Sequence, residues 1–148
     1  MESAPDRPRY FTIAEVNALL PYLSRSLEEL QGLLTEARAK RREMDLIKAV
    51  GYREDGSLIM EYDYNIARRD LERTVAEANR RIDEIHALGC QIKSIELGLV
   101  DFPARINGRD VLLCWQLGEE QVGYYHLWDT GYADRRPIQP GDDDTPYP

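Results

Sequence analysis

Two different spacings of apolar residues divide the chain. From Val16 the positions Leu20, Leu23, Leu27, Leu30, Leu34 and Ala37 advance by alternating steps of four and three, which lines one face of an α-helix. Arg41 interrupts the row and Met44 resumes it, while Leu19, Leu33, Leu46 and Ile47 widen the stripe beyond a two-position coiled-coil seam. A second row, Leu71, Val75, Ala78, Ile82 and Ile85, predicts a helix over 65–88 that Gly89 ends. Thr12 and Glu15 have the spacing of a capping box, with Phe11 outside it set to pack on Val16, so the first helix starts at Ile13. Gly51 ends it. Pro21 removes a donor and disfavours helical geometry at Leu20, which predicts a kink near Pro21, or a short helix followed by a long one. The two stripes together predict a long antiparallel hairpin over 12–88. Between its arms, Asp55-Gly56, flanked by Tyr52 and Leu58, marks a small hairpin or ordered loop.

From Gln91 the period falls to two. Strands are expected over 99–106, 111–117 and 122–129, joined by Asn107-Gly108 and by a four-residue loop at 118–121. Pro103 puts its strand at an edge or bulge. A two-residue turn at Asn107-Gly108 pairs Phe102 with Leu113 and Val100 with Trp115. The next hairpin would pair Trp115 with Tyr124, Leu113 with His126 and Val111 with Trp128. One face then carries Val100, Phe102, Val111, Leu113, Trp115, Leu117, Val122, Tyr124, His126 and Trp128, a core face; the other carries Asp101, Arg105, Asp110, Cys114, Gln116, Tyr125 and Asp129, with Leu99, Leu112 and Leu127 among them. A slip of one residue exchanges these sets. The expected fold is α+β: a long antiparallel helical hairpin, kinked near Pro21, packed with a C-terminal three-stranded antiparallel meander. It is read as a single domain over 10–138, with flexible tails at 1–9 and 139–148.

Composition narrows the function classes. The 148 residues hold 19 Lys and Arg against 27 Asp and Glu, a net charge of −8. That field repels polyanions, so nucleic-acid and anionic-membrane binding are disfavoured. No apolar run is long enough to cross a membrane. The opening residues, with Pro5 and Pro8, contain no apolar stretch of a secretory signal. Cys90 and Cys114 match no zinc or redox spacing and read as free thiols, which points to the cytoplasm.

Two blocks carry a family resemblance. The first is Tyr10-Phe11-Thr12, Glu15, Asn17 and Leu19-Leu20-Pro21. The second is Gly98 to Pro103, Leu113-Cys114-Trp115, Leu117-Gly118-Glu119, His126, Asp129, Gly131, Arg135 and Pro137-Ile138. In these the chain resembles the bacterial family catalogued as domain of unknown function 2203. The resemblance implies a shared domain without a particular chemistry. Members place a Glu directly after the histidine, where this chain has Leu127.

No catalytic constellation is complete. His126 reads first as a core histidine hydrogen-bonded to a carboxylate or carbonyl, and second as a metal ligand or general base. His86, with Asp83 beside it, is the conceivable second ligand, but no spacing matches a metal motif, so no metal or other cofactor is assigned. Cys114 reads as a small buried hydrophobe, because an aspartate across from it raises its pKa; a Cys–His pair would need a register slip in one strand only. Asp101 is read as capping a bend, Glu119 as a solvated turn residue, and Arg135 as a partner for an aspartate or an anion. The preferred reading is a non-catalytic homodimeric interaction module whose sheet meets a protein partner. The alternative is a small enzyme or metal- or ligand-binding protein, its site at the sheet–helix junction around His126, Trp115, Tyr124, Asp101, Asp129 and Arg135.

Overall fold

The first helix begins where its cap demands. The Thr12 amide donates to Glu15 Oε1 at 2.9 Å and the Glu15 amide to Thr12 Oγ1 at 3.1 Å, the reciprocal pair of a capping box. A further orphan amide of that turn, Ile13 N–H, donates to Asp144 Oδ2 at 2.7 Å. The computed structural model describes residues 9–147. Among them are two long helices, α1 (Ile13–Val50) and α2 (Glu61–His86), and five strands: β1 (Gln91–Ser94), β2 (Leu99–Ile106), β3 (Arg109–Gln116), β4 (Tyr124–His126) and β5 (Arg136–Pro137). The fold is α+β. Helix α1 runs unbroken with Pro21 inside it, so the short-helix alternative is set aside. Leu20 and Leu23 on either side are buried, and that packing offsets the one lost backbone bond.

The described residues divide into two compact units, 9–27 with 83–147, and 28–82. In the second, the distal part of α1 and most of α2 form an antiparallel pair. Met44, Ile47 and Ala67 are its buried cluster, with Met60, Tyr64 and Leu71 packed on them. These contacts draw the start of α2 back to Glu61, four residues before the predicted Asn65. Ion pairs tie the arms at Lys40–Asp70 and Arg81–Glu29. Arg68, Arg73 and Arg80 pair with acidic neighbours on their own helix, which makes a mixed, salt-bridged surface. The connection is a small hairpin, as its Asp55-Gly56 signal predicts: Tyr52 and Leu58 form an isolated bridge.

In the first unit the sheet has strand order β1-β2-β3-β4-β5, antiparallel throughout. Two strands thus extend the expected three-stranded meander. One is a short half-exposed edge and the other a two-residue pair containing proline, both too brief for a periodic signal. The β2–β3 register is the predicted one, Phe102 opposite Leu113 and Val100 opposite Trp115. Asn107 and Gly108 both have positive φ, 54° and 79°, as a two-residue hairpin of this twist requires. Pro103 lies beyond the last residue that β1 pairs, and its carbonyl accepts the Phe11 amide at 2.8 Å. The inner face of β2 and β3 buries Val100, Phe102, Ala104, Val111, Leu113 and Trp115, and the α1 residues Val16, Leu20, Leu23 and Leu27 are buried in the same unit. Phe11 meets Phe102 edge-on at 5.4 Å.

The β3–β4 register differs from the expectation by one residue. Leu112 faces His126, Leu113 faces Tyr125 and Cys114 faces Tyr124. The cause lies in residues 117–123, which form a longer loop than the expected 118–121. Trp115 Nε1–H donates to the Glu119 carbonyl at 2.9 Å, Glu119 Oε1 accepts the Gln116 amide at 2.7 Å, and the Val122 amide donates to Asn17 Oδ1 at 2.8 Å. Val122 is spent on the helix contact, so pairing resumes only at Tyr124. Tyr125 takes the inner face, and His126 and Tyr124 move to the outer one. Trp128, expected in the core, is exposed.

Of the tails read as flexible, 1–8 and 148 lie outside the described residues. Within 139–147, Asp143 exchanges hydrogen bonds with Asn107, Asn107 Nδ2 donates to Asp142 Oδ1, and Tyr147 meets Tyr10 edge-on.

Gly98 closes the β1–β2 connection at φ 67°, and a Cβ there would stand 2.5 Å from Leu117 Cβ. Gly98→Ala is expected to cost about 2–4 kcal/mol, from left-handed strain plus overpacking. Gly123→Ala, where a Cβ meets nothing within 4 Å, is expected to be near neutral. Urea unfolding of the two variants checks the contrast.

Candidate functional site

The one-residue offset in β4 assembles three side chains of different chemistry on the outer face of the sheet. Asp101 on β2 pairs directly with Cys114 on β3, and His126 on β4 stands diagonal to Cys114. Asp101 and His126 are each 3% exposed and Cys114 is 1% exposed. One ligand atom from each, a carboxylate oxygen, Sγ and a ring nitrogen, lie within 4.8 Å of one another. Among the described residues these three form the group of His, Cys, Asp and Glu side chains close enough to share a metal ion.

The hydrogen bonds of His126 define its proton inventory. Nδ1 lies 2.8 Å from the Leu127 carbonyl, which only accepts, so Nδ1 carries hydrogen. Nε2 lies 3.0 Å from Asp101 Oδ2. One proton fills that contact, either on the imidazole, giving an ion pair, or on the carboxyl, giving a neutral pair. Both arrangements have zero net charge. Burial pushes the Asp101 carboxyl above the usual carboxylate range, with the facing His126 pulling it back. The Leu127 carbonyl is itself held by a turn. Thr130 Oγ1 donates to it at 3.1 Å and accepts the Leu127 amide at 3.1 Å.

Cys114 is no activated nucleophile. Burial pushes its thiol up to about 11, and the Asp101 carboxylate adds to that, with Arg135 acting in the opposite direction. Both ring nitrogens of His126 are engaged elsewhere, and the thiol's acidic neighbour is Asp101, whose negative charge disfavours a thiolate.

The cluster lies at the floor of a cavity of about 270 Å³, which also meets Lys93, Leu99, Leu112, Trp128, Thr130 and Tyr132. A neighbouring cavity of about 400 Å³ shares Lys93, Asp101, Leu112 and Trp128, and reaches His86, Cys90 and Pro103. Trp128 is 56% exposed and stands at the edge of both.

The other candidates have different places. Trp115 is buried on the inner face and donates to the Glu119 carbonyl. Tyr124 shares the outer face with Cys114, its ring 4.0 Å from the Arg135 guanidinium carbon. Arg135 forks onto Glu119 at 3.2 and 3.0 Å and lies between Tyr124 and Tyr132, so it holds the 117–123 loop while its charge also reaches the Cys114 sulfur. Glu119 is therefore a fastener and not a solvated turn residue. Asp129 is exposed and lines a separate open hollow with Tyr10, Arg109 and Asp110. His86 accepts the Ile92 amide on Nε2 at 3.2 Å and lies outside the three-residue cluster. Lys93, Trp128 and Tyr132 carried no signal as site residues, because their shared rim exists only once the strands are placed.

The second thiol offers a check on burial. Cys90 is held protonated up to about 11 by burial, against an ordinary 9.0. A folded-state pKa raised in this way contributes stability that is present below 9.0 and lost as the pH rises through about 11. The unfolding free-energy difference between the wild-type chain and Cys90→Ala is expected to shrink by about 2–3 kcal/mol between pH 8 and pH 11. Urea titrations at both pH values measure it.

A family model described as "Uncharacterized conserved protein (DUF2203)" matches residues 9–138. No curated protein and no solved structure matches the chain significantly.

Proposed function

The chain belongs to that family of uncharacterized conserved proteins, and from this premise we propose that it is a ligand-binding domain whose site is the outer-face cavity over Asp101, Cys114 and His126. The carrying observation is a buried carboxylate–imidazole pair that lines a cavity of about 270 Å³. A pair with only a structural task needs no such cavity. With that pair neutral, Lys93 leaves the lining one positive charge in a chain of net charge −8. Trp128 and Tyr132 supply flat apolar surface beside it. The chemistry suits a small anionic molecule with a planar apolar part. A reducing, cytoplasmic setting agrees with two buried free thiols.

Benzoate serves as a probe and neutral benzamide as its control. Benzoate is expected to change tryptophan emission saturably, through Trp128, with Trp128→Leu abolishing the response. Lys93→Met is expected to weaken binding about tenfold, the loss of roughly one exposed charge contact. Equal responses to benzamide, or no response to a series of monocyclic carboxylates, would overturn the reading.

A second reading concerns assembly. Leu46 is 71% and Tyr62 76% exposed, and Val50, Tyr52, Ile59 and Ile66 nearby in sequence are exposed as well. Large apolar side chains concentrated within 46–66, around the hairpin tip, favour a second copy of the chain as the occupant, since closed symmetric pairs are the commonest assemblies. Sedimentation is expected to show a dimer at micromolar concentration that a Leu46→Glu, Tyr62→Glu double variant converts to monomer. A monomeric wild-type chain would end this reading.

A further inference from the structure

Three protein ligands, a carboxylate, an imidazole and a thiol, converging from three adjacent strands beside an open cavity, are more than the binding of an organic anion requires. The geometry points to a tetrahedral zinc site formed by Asp101 Oδ2, Cys114 Sγ and His126 Nε2, with the fourth position facing the cavity. The metal site stands on these residues alone. Only the occupant of the fourth position, the anionic group of a small ligand, rests on the function proposed above.

The distances are near those of a loaded site. Zinc with a sulfur ligand at about 2.3 Å and nitrogen or oxygen ligands at about 2.0–2.2 Å holds sulfur and nitrogen about 3.6 Å apart. The three ligand atoms already lie within 4.8 Å, and the nitrogen–oxygen pair is at 3.0 Å. Loading such a site needs the sulfur to draw in and the nitrogen–oxygen pair to open by a few tenths of an ångström. The strands that carry them are paired neighbours, which gives the site a rigid base.

The surroundings match what a ligating imidazole needs. A metal-bound histidine donates its other N–H to a carbonyl or carboxylate, which sets the tautomer and aims the lone pair. Here Nδ1–H donates to the Leu127 carbonyl, and Thr130 holds that carbonyl in place. Nε2 is thereby turned toward Asp101 and Cys114. Charge also balances. In the free site, the thiol keeps one proton and the His126–Asp101 contact keeps another, for zero net charge. Zinc binding releases those two protons and leaves a dication, a carboxylate, a thiolate and a neutral imidazole, again with zero net charge. A mixed nitrogen, oxygen and sulfur set in a small tetrahedral space suits zinc above the harder divalent ions. Three protein ligands with one open position is the pattern of a site that binds or polarises an exogenous ligand.

Cobalt(II) is the spectroscopic probe, added to the full chain in a phosphine reductant. The expected result is one cobalt per chain, a thiolate-to-cobalt charge-transfer band in the near ultraviolet, and intense visible bands of four-coordination. Zinc is expected to displace the cobalt and raise the melting temperature. Cys114→Ser keeps nearly the same volume and is expected to lose the charge-transfer band and to weaken zinc binding by about 100-fold or more, as loss of a direct ligand exceeds loss of an outer contact. Cys90→Ala is expected to retain the band. His126→Gln is expected to weaken zinc binding comparably, with circular dichroism showing that it folds. Absence of the band in the wild-type chain, or its survival in Cys114→Ser, would overturn the site. Benzoate separates the two proposals. Binding of benzoate without any cobalt spectrum leaves the cavity reading standing and removes the metal. A cobalt spectrum that benzoate leaves unchanged, together with no benzoate response, keeps the metal and removes the anionic ligand.

Discussion

A carboxylate and an imidazole share a single proton at a place from which water is nearly excluded, and much of the first unit is arranged around that contact. An aspartate buried to 3% exposure has a desolvation cost that only a well-placed partner offsets. His126 supplies the partner only if it stands on the same face of the sheet as Asp101. That placement needs β4 to pair with β3 one residue away from the simplest alternation. The 117–123 loop imposes the offset, and it is held from several sides: by Trp115 and Gln116 from β3, by Asn17 from α1, and by Arg135 after β4. Arg135 matters to the site twice, through this loop, where its guanidinium meets Glu119 and two tyrosine rings, and through its charge beside Cys114.

The two faces of the sheet therefore bury different kinds of surface. The inner face is apolar and supplies the core of the unit through Phe102, Leu113 and Trp115. The outer face is buried as well, yet it carries an acid, a thiol and an imidazole, and it opens into cavities rimmed by Trp128. A sheet whose second face only met solvent would show exposed polar residues there. The N-terminus of α1 is fastened in the same unit by Glu15 and by Asp144, so chain ends distant in sequence meet at one helix cap.

The paired helices of residues 28–82 have a simpler logic. Their buried cluster is small, and their surfaces are laced with ion pairs of modest worth. The apolar stripe of α1 divides into two parts. Val16 to Leu30 is buried within the chain, whereas Leu46 and Val50 remain in solvent. Any association of copies is thus referred to the hairpin tip and not to the whole stripe. No helix of the described residues is long and apolar enough to cross a membrane.

Local chemistry was legible wherever a few neighbouring residues decide the outcome. The capping box at Thr12 and Glu15, the end of α1 before Gly51, the Asn107-Gly108 turn and the register it enforces between β2 and β3 all follow from short-range geometry, while the family resemblance rests on two blocks of residues and is borne out by the match over 9–138. The short strands β1 and β5 were not legible, because four and two residues carry no period. The face of His126 was not legible either. Alternation supplies two equivalent answers, and the choice between them was made by Val122 bonding to Asn17, a residue 105 positions away. Sequence alone determined the two helices and the three central strands β2, β3 and β4, since periodicity and turn chemistry act within a few residues. Tertiary structure decided which side chains share a pocket, because contacts from α1, β3 and Arg135 hold the loop before β4 and with it the face that His126 takes.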